Sequence, residues 1–351
     1  MSSRNGWLAP LGHMPEPGDV IGYRRDGRPI YLLGGGAAID VTDWIPEEHS
    51  GEVIQRVNQL SAVERYSRPW SMRNNLRSVP RSAGMDVSGI AKGGTYAEDS
   101  SANDEVVLTA RKIGQALRID DEDLKDSSLV DIINVKKVDW ATSYAKFFDN
   151  ACLGTTGTEN GTTVLYTSVY KTIRTTDSDL GYTADQNLVT TPTGQVTYDD
   201  LSTVLEKVET GDYWDPVDAL IIAHPSFKAV LRGIKDDQGR PVFVGGQGGD
   251  RGTPDTLFEY PIAWSLGCRT STVNTSNPTG NPLLIVCNRQ YLYKGVRSGP
   301  ESAVAGADSG PAFLTDQALL KIRARRGFAV AHPKAFAVLE KTPAAGGGGG
   351  T

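Results

Sequence analysis

Residues 105–154 read EVVLTARKIGQALRIDDEDLKDSSLVDIINVKKVDWATSYAKFFDNACLG, and the fold turns on them. The first part, Glu105 to Ile119, is rich in Val, Leu, Ile and Thr and holds no proline, so it reads as one long strand. The acidic run Asp120-Asp121-Glu122-Asp123 follows. It lacks the alternating oxygen ligands and central glycine of a calcium loop. Carboxylates gathered ahead of a helix complement its dipole instead. Ser128 and Asp131 then stand at capping-box spacing. Leu129, Ile132, Ile133, Val138, Trp140, Ala141, Tyr144, Phe148 and Cys152 recur every three or four residues, the period of a helix with one apolar face. Gly154 stands just past the expected C-cap. A helix over 129–153 would run about 37 Å at 1.5 Å per residue, roughly twice the ordinary ~12-residue length. That suits a beam through an elongated subunit.

Upstream, Trp70 to Arg81 is β-compatible, Ser82 to Asn103 is small, polar and Gly-bearing, and the Glu105 strand returns. The segment 70–119 therefore reads as a long hairpin with a soft tip and a weak core face. A lone hairpin is marginal in water, so this one is expected to lie on a neighbouring copy. Residues 1–19, rich in Pro and Gly, read as an extended arm. Val20–Arg24 and Arg28–Leu33 flank Asp26-Gly27, a hairpin turn signal. Val53, Ile54, Val57 and Leu60 set a helical period from Gly51 to about Tyr66. Downstream, 155–195 is Thr- and Gly-rich with little pattern. Thr197 and Asp200 form a second capping box, ahead of the stripe Leu201, Val204, Leu205, Val208. Val217–Ala223 reads as a buried strand, Phe227 to Ile234 as a helix and Asp237–Arg240 as a turn. Further strands fall at Leu257–Trp264, Leu283–Cys287, Gln290–Val296, Ala318–Arg325 and Ala335–Lys341. The tail from Pro343 to Thr351 is nearly all glycine.

Composition removes several classes. The chain has 351 residues, with 36 Lys+Arg against 42 Asp+Glu, a net charge of −6. That balance argues against strong nucleic-acid binding, whose affinity comes from cations on phosphates. No run of 18 apolar residues suggests a membrane helix, and the N-terminus lacks the apolar core of a secretory signal. The three cysteines, 152, 268 and 287, are sparse and odd in number, as in a reducing compartment. None of the four histidines stands at ligand spacing with another, and there is no Cys-x-x-Cys, so neither metal nor cofactor is expected. P-loop and G-x-S-x-G patterns are absent. His224-Pro225-Ser226 could pair a histidine with a nucleophile, but Pro225 near a helix start is the simpler reading. No catalytic, cofactor-binding or metal-binding residue is assigned, and no enzymatic activity is expected.

The order of these parts resembles a tailed-bacteriophage major capsid protein of the Hong Kong 97 type. Four stretches carry the resemblance. Residues 117–127, LRIDDEDLKDS, are similar to the strand-then-acidic entry to that family's spine helix. Residues 147–154, FFDNACLG, resemble the spine's aromatic-Asp ending. Residues 219–231, ALIIAHPSFKAVL, together with Asp237-Gln-Gly-Arg-Pro241 and Tyr260-Pro261, resemble its A-domain. Residues 328–333, FAVAHP, resemble its final strand entry. The resemblance covers roughly residues 50–342. It implies an α+β fold with an N-terminal arm carrying a hairpin and short helix (1–69), an E-loop hairpin (70–119) and a P-domain (120–195) with spine helix 129–153. An A-domain (196–315), closing P-domain strands (316–342) and a Gly-rich tail (343–351) complete it. It also implies self-assembly as hexamers and pentamers into an icosahedral head shell around double-stranded DNA, held without sequence-specific binding or grip. The shell would form in the host cytoplasm and end in the virion, with scaffolding protein, portal and a decoration protein as partners and no membrane. Only some seventy residues precede the hairpin, which suits a separate scaffolding protein.

Some family members weld subunits with an isopeptide bond between a hairpin Lys, an Asn and a nearby Glu. Lys92, beside Gly93-Gly94, suits the first role. By spacing from His332, however, the other two positions fall on Ala318 and Arg325, and residues 316–328 contain neither Asn nor Glu. No cross-link is expected, and Lys92 reads as a solvated or inter-subunit charge. Candidate inter-subunit contacts are Trp7, Leu8, Tyr23, Tyr31, Trp70, Ile90 and Lys92. An encapsulin-like nanocompartment shell and a soluble β-rich enzyme are the alternatives.

Overall fold

The computed structural model describes residues 20–23, 27–31, 60–82, 84, 87–96, 98, 104–120, 122, 132–191, 194–235, 256–306 and 316–343. The expected arm 1–19, the Ser128/Asp131 capping box, the turn at 237–240 and the glycine tail beyond 343 lie outside them, as do residues 51–59 of the expected helix. The chain divides into two units, residues 1–51 and 52–351. In the first, β1 (Val20–Tyr23) pairs antiparallel with β2 (Pro29–Tyr31). Gly27 has φ +83°, the left-handed turn geometry that glycine adopts without cost.

The second unit holds two larger sheets. A four-stranded sheet has the order β3 (Arg68–Ser71), β12 (Leu292–Ala305), β13 (Gln317–Val330), β6 (Arg111–Asp120). A six-stranded mixed sheet has the order β7 (Leu188–Thr190), β14 (Phe336–Glu340), β11 (Leu283–Asn288), β8 (Ala219–Ala223), β10 (Tyr260–Trp264), β9 (Thr256–Leu257). Every residue of β8, β11 and β14 is buried, as continuous apolar strands covered on both faces must be. Their alternation divides two cores. Ile221, Leu284, Val286, Ala337 and Leu339 pack with α4 (Tyr198–Glu209) and α5 (Phe227–Gly233). Leu220, Ile222, Ile285, Phe336 and Val338 share a core with Phe148 and Cys152 of α2 (Ile132–Leu153) and Tyr170 of α3 (Val169–Ile173).

The long helix α2 carries an aromatic ladder. Trp140 stacks on Tyr144 at 5.0 Å and Tyr144 on Phe148 at 5.8 Å, the i,i+4 neighbours of one helix face. Gly154 ends the helix for a reason the sequence does not display. Its φ is not left-handed; instead, a Cβ there would lie 2.0 Å from the Arg269 carbonyl oxygen. At α4, Thr197 Oγ1 accepts from the Asp200 N–H, and the Asp200 carboxylate accepts from the Thr197 N–H at 2.8 Å, the reciprocal cap read from the spacing.

Two expectations change. The strand over Glu105–Ile119 is broken at Ala110 into β5 (Asp104–Thr109) and β6. Only β5 pairs with β4 (Leu76–Arg81), from Leu76↔Thr109 to Arg81↔Asp104. β6 turns away to pair with β13 over ten positions, and β3 pairs with β12. The hairpin therefore covers 76–109 rather than 70–119. Strand propensity reveals an extended segment and leaves its partner open. The expected segment bounds also differ from sheet membership. β12, within 196–315, joins the four-stranded sheet, and β14, within 316–342, joins the six-stranded one.

Candidate inter-subunit surfaces

A helix as short as α1 (Ala62–Tyr66) cannot hold itself. Two carboxylates fix it. Asp149, fully buried within α2, accepts from Ser61 Oγ at 2.5 Å, Ala62 N at 2.9 Å, Val63 N at 3.1 Å and Ser265 Oγ at 2.5 Å. Burial pushes its carboxyl above the usual range although all four donors pull the other way. Glu64 lies 3.0 Å from Lys294 Nζ and 2.5 Å from Arg326 Nε, and accepts from the Tyr144 hydroxyl at 2.9 Å. Burial raises the Glu64 carboxyl, but the hydrogen bonds and charges of Arg326 and Lys294 outweigh it and hold the group below its ordinary value. One residue of α1 thus ties together β12, β13 and α2. Ser61-x-x-Glu64 has capping-box spacing, and Ser61 Oγ does accept from the Glu64 N–H. That spacing marks the helix start but says nothing of the buried cations awaiting the glutamate.

The expected contact residues are dispersed. Trp7 and Leu8 lie outside the described residues. Tyr23 ends β1 and is 71% exposed; Tyr31 ends β2. Trp70, on β3, already has neighbours in its own chain. It meets Tyr293 edge-on at 5.5 Å, with the Arg68 and Arg77 guanidiniums 5.0 and 4.6 Å from its ring centre. Its indole N–H is buried without a hydrogen-bond partner. Ile90 and Lys92 sit on the hairpin tip, in a turn closed by Gly94 N–H donating to the Ala91 carbonyl at 2.8 Å, with Gly93 at φ +85°. The root of the hairpin does pack within its own chain: Val106 and Leu108 are buried, and β5 lies against β13. Among the described residues of the tip, Val87 is 96% and Tyr96 81% exposed.

The two positions aligned with the family's cross-linking Asn and Glu lie on opposite faces of β13, Ala318 buried beneath the sheet and Arg325 on the other side. At His224, the Ser226 N–H reaches Nδ1 at 3.1 Å and Ser226 Oγ lies 2.8 Å from the same atom. This turn leads into α5 at Phe227. His332 repeats the device, accepting from the Lys334 N–H through Nδ1 at 3.2 Å. No helix among the described residues is long and apolar enough to cross a membrane.

Comparison with known proteins agrees with these features. The phage capsid family profile matches residues 42–341, and the chain belongs to that family. Membership makes it a structural protein of the virion, a major capsid protein. Among solved structures, a Microbacterium phage Oxtober96 chain is 17% identical with a TM-score of 0.65, over 87% of this chain and 98% of that one. A Gordonia phage Cozz chain is 16% identical with a TM-score of 0.66, over 88% and 96%. The capsid of a native GTA particle, computed with C5 symmetry, is 14% identical with a TM-score of 0.66, over 89% and 100%. At such identities the likeness establishes the fold, which is α+β of the Hong Kong 97 type. No curated protein matches the sequence significantly.

Proposed function

We propose that copies of this chain assemble, as hexamers and pentamers, into the icosahedral head shell of a tailed phage that encloses double-stranded DNA. The carrying observation is the capsid-family match across 42–341 on a subunit whose hairpin tip has no apolar cover among the described residues. Apolar side chains as exposed as Val87 and Tyr96 fit a surface that a second copy covers. The segment before α1 serves as an arm docking on adjacent copies, with Trp7, Leu8, Tyr23 and Tyr31 as anchors, and Ile90 and Lys92 lie at the hairpin contact. Scaffolding protein and portal act during assembly in the host cytoplasm, and a decoration protein is a further partner. No welded bond joins the subunits, because Ala318 and Arg325 offer neither a carboxamide nor a base. Size-exclusion chromatography and negative-stain microscopy of the expressed chain test the reading. Closed megadalton particles are expected; a stable small oligomer under all assembly conditions would overturn it.

A further inference from the structure

The outer face of the four-stranded sheet runs against the charge of the whole chain. Along β13, Ala318, Leu320, Ile322, Ala324 and Arg326 are buried, so Lys321, Arg323 and Arg325 project from the opposite face. In register across β6, Lys112 stands opposite Arg325 and Arg118 opposite Leu319, which adds two cations to the same face. The five span about 20 Å at ~3.4 Å per residue. Among the described residues, two carboxylates belong to this surface: Glu301, 3.2 Å from Arg323, and Asp120, which accepts from Gln317 at 2.7 Å.

Like charges directly opposite on a sheet are destabilising, and this sheet shows how such a pair is normally relieved. On the buried face Arg111 stands opposite Arg326, and each has its own acid, Glu159 at 2.9 Å and Glu64 at 2.5 Å. On the outer face Lys112 and Arg325 have no acid among the described residues. Among the described residues the face therefore carries five cations against two carboxylates. Between the cations stand Gly114, Ala116 and Ala303, which leave a low shelf. Protein interfaces centre on aromatic or aliphatic anchors and are depleted of charge at their core; this face has the reverse composition. A repeating oxyanion polymer fits it better than an acidic protein segment.

We propose that this sheet face contacts the phosphate backbone of the enclosed double-stranded DNA, an inference that rests on the shell reading above. The contact is to backbone oxyanions and carries no sequence preference. It revises the expectation of a wall without grip: the net −6 belongs to the whole chain, while this face is locally cationic.

The first test is binding of the full-length chain to a short DNA duplex across a salt series. Each neutralised phosphate contributes about 0.9 to the log–log salt slope. Replacing Lys112, Arg118, Lys321 and Arg325 together by Gln should lower the slope by roughly 3–4 and weaken binding about tenfold or more at low salt. The second test needs no variant. Lysine acylation of wild-type particles should modify Lys112 and Lys321 more slowly in DNA-filled shells than in emptied ones. An unchanged slope, or equal reactivity in filled and emptied shells, overturns the proposal. So does a quadruple variant that binds DNA normally but fails to form shells, since the face would then join copies. Particles that never hold DNA overturn the shell reading and this inference with it; filled particles without lysine protection overturn this inference alone.

Discussion

Replacing Glu64 by Gln removes the carboxylate on which two buried cations converge. The Lys294 and Arg326 side chains are only 9% and 8% exposed. Lys294 keeps the Glu64 backbone carbonyl at 2.5 Å and Arg326 the Ser298 carbonyl at 2.6 Å, but neither keeps a counter-charge. Removing one partner of a buried pair costs about 3–5 kcal/mol. The retained amide oxygen still accepts one bond, and the Glu64 side chain is 22% exposed, so about 3 kcal/mol is expected. At ~2.1 cal/mol/K per residue over a unit of roughly 300 residues, that lowers Tm by about 5 °C. Calorimetry of wild type and variant, at one protein concentration because assembly shifts apparent stability, measures it. The pH dependence has a definite sign. A carboxyl whose folded pKa is depressed contributes stability above its unfolded pKa and loses it as pH falls through the folded value. An unperturbed glutamate titrates near 4.5, so the gap between wild type and variant should be full at pH 7 and close in acid below that range. A gap under about 0.5 kcal/mol at pH 7, within the range of ordinary surface changes, would refute the reasoning, as would a gap of constant size from neutral pH to full carboxyl protonation.

Four further outcomes are expected. Gly154→Ala should destabilise by roughly 1–3 kcal/mol or more, because its Cβ would lie 2.0 Å from a carbonyl oxygen; unfolding in denaturant checks this, and an unchanged midpoint would contradict the close approach. Asp149→Asn should also destabilise, by about 1–3 kcal/mol for each donor left unmet, since an amide cannot accept from all four groups around it; thermal melts of the variant should show a lower midpoint. His332 is buried and, through burial first and then Arg81 and Lys334, its pKa falls to about 4. Between its unfolded value of 6.5 and about 4 the unfolded chain binds a proton that the folded one refuses, so up to roughly 3 kcal/mol should be lost as pH falls through that window; His332→Asn should flatten that limb in a pH series. Boiled and reduced particles should run as one band near the chain mass of 37.7 kDa, whereas a ladder that disappears in Lys92→Ala would reveal a weld.

What the sequence displays depends on how local the cause is. The cap at Thr197 and Asp200, the apolar stripe of α4 and the period of α2 arise from residues three or four apart, and those spacings can be read directly. The break at Ala110 cannot. Residues on both sides have strand propensity, and only the choice of partners, β4 for one half and β13 for the other, separates them. The same limit hid the ties at α1: Glu64 is 230 positions from Lys294 and 262 from Arg326. It also hid the cationic face. Lys112 and Arg325 lie in different strands, and their like charges meet only because the register places them opposite each other. Whole-chain charge averaged that face away, which is why the sequence suggested a wall indifferent to DNA. The local arrangement has a different consequence. Were Lys112 and Arg325 serving fold stability alone, an acid beside them would be the economical solution, as Glu159 and Glu64 are for the pair on the other face. Among the described residues, the sheet neutralises the Arg111 and Arg326 pair from within and leaves Lys112 and Arg325 without an acid, an arrangement that the proposed phosphate contact would complement.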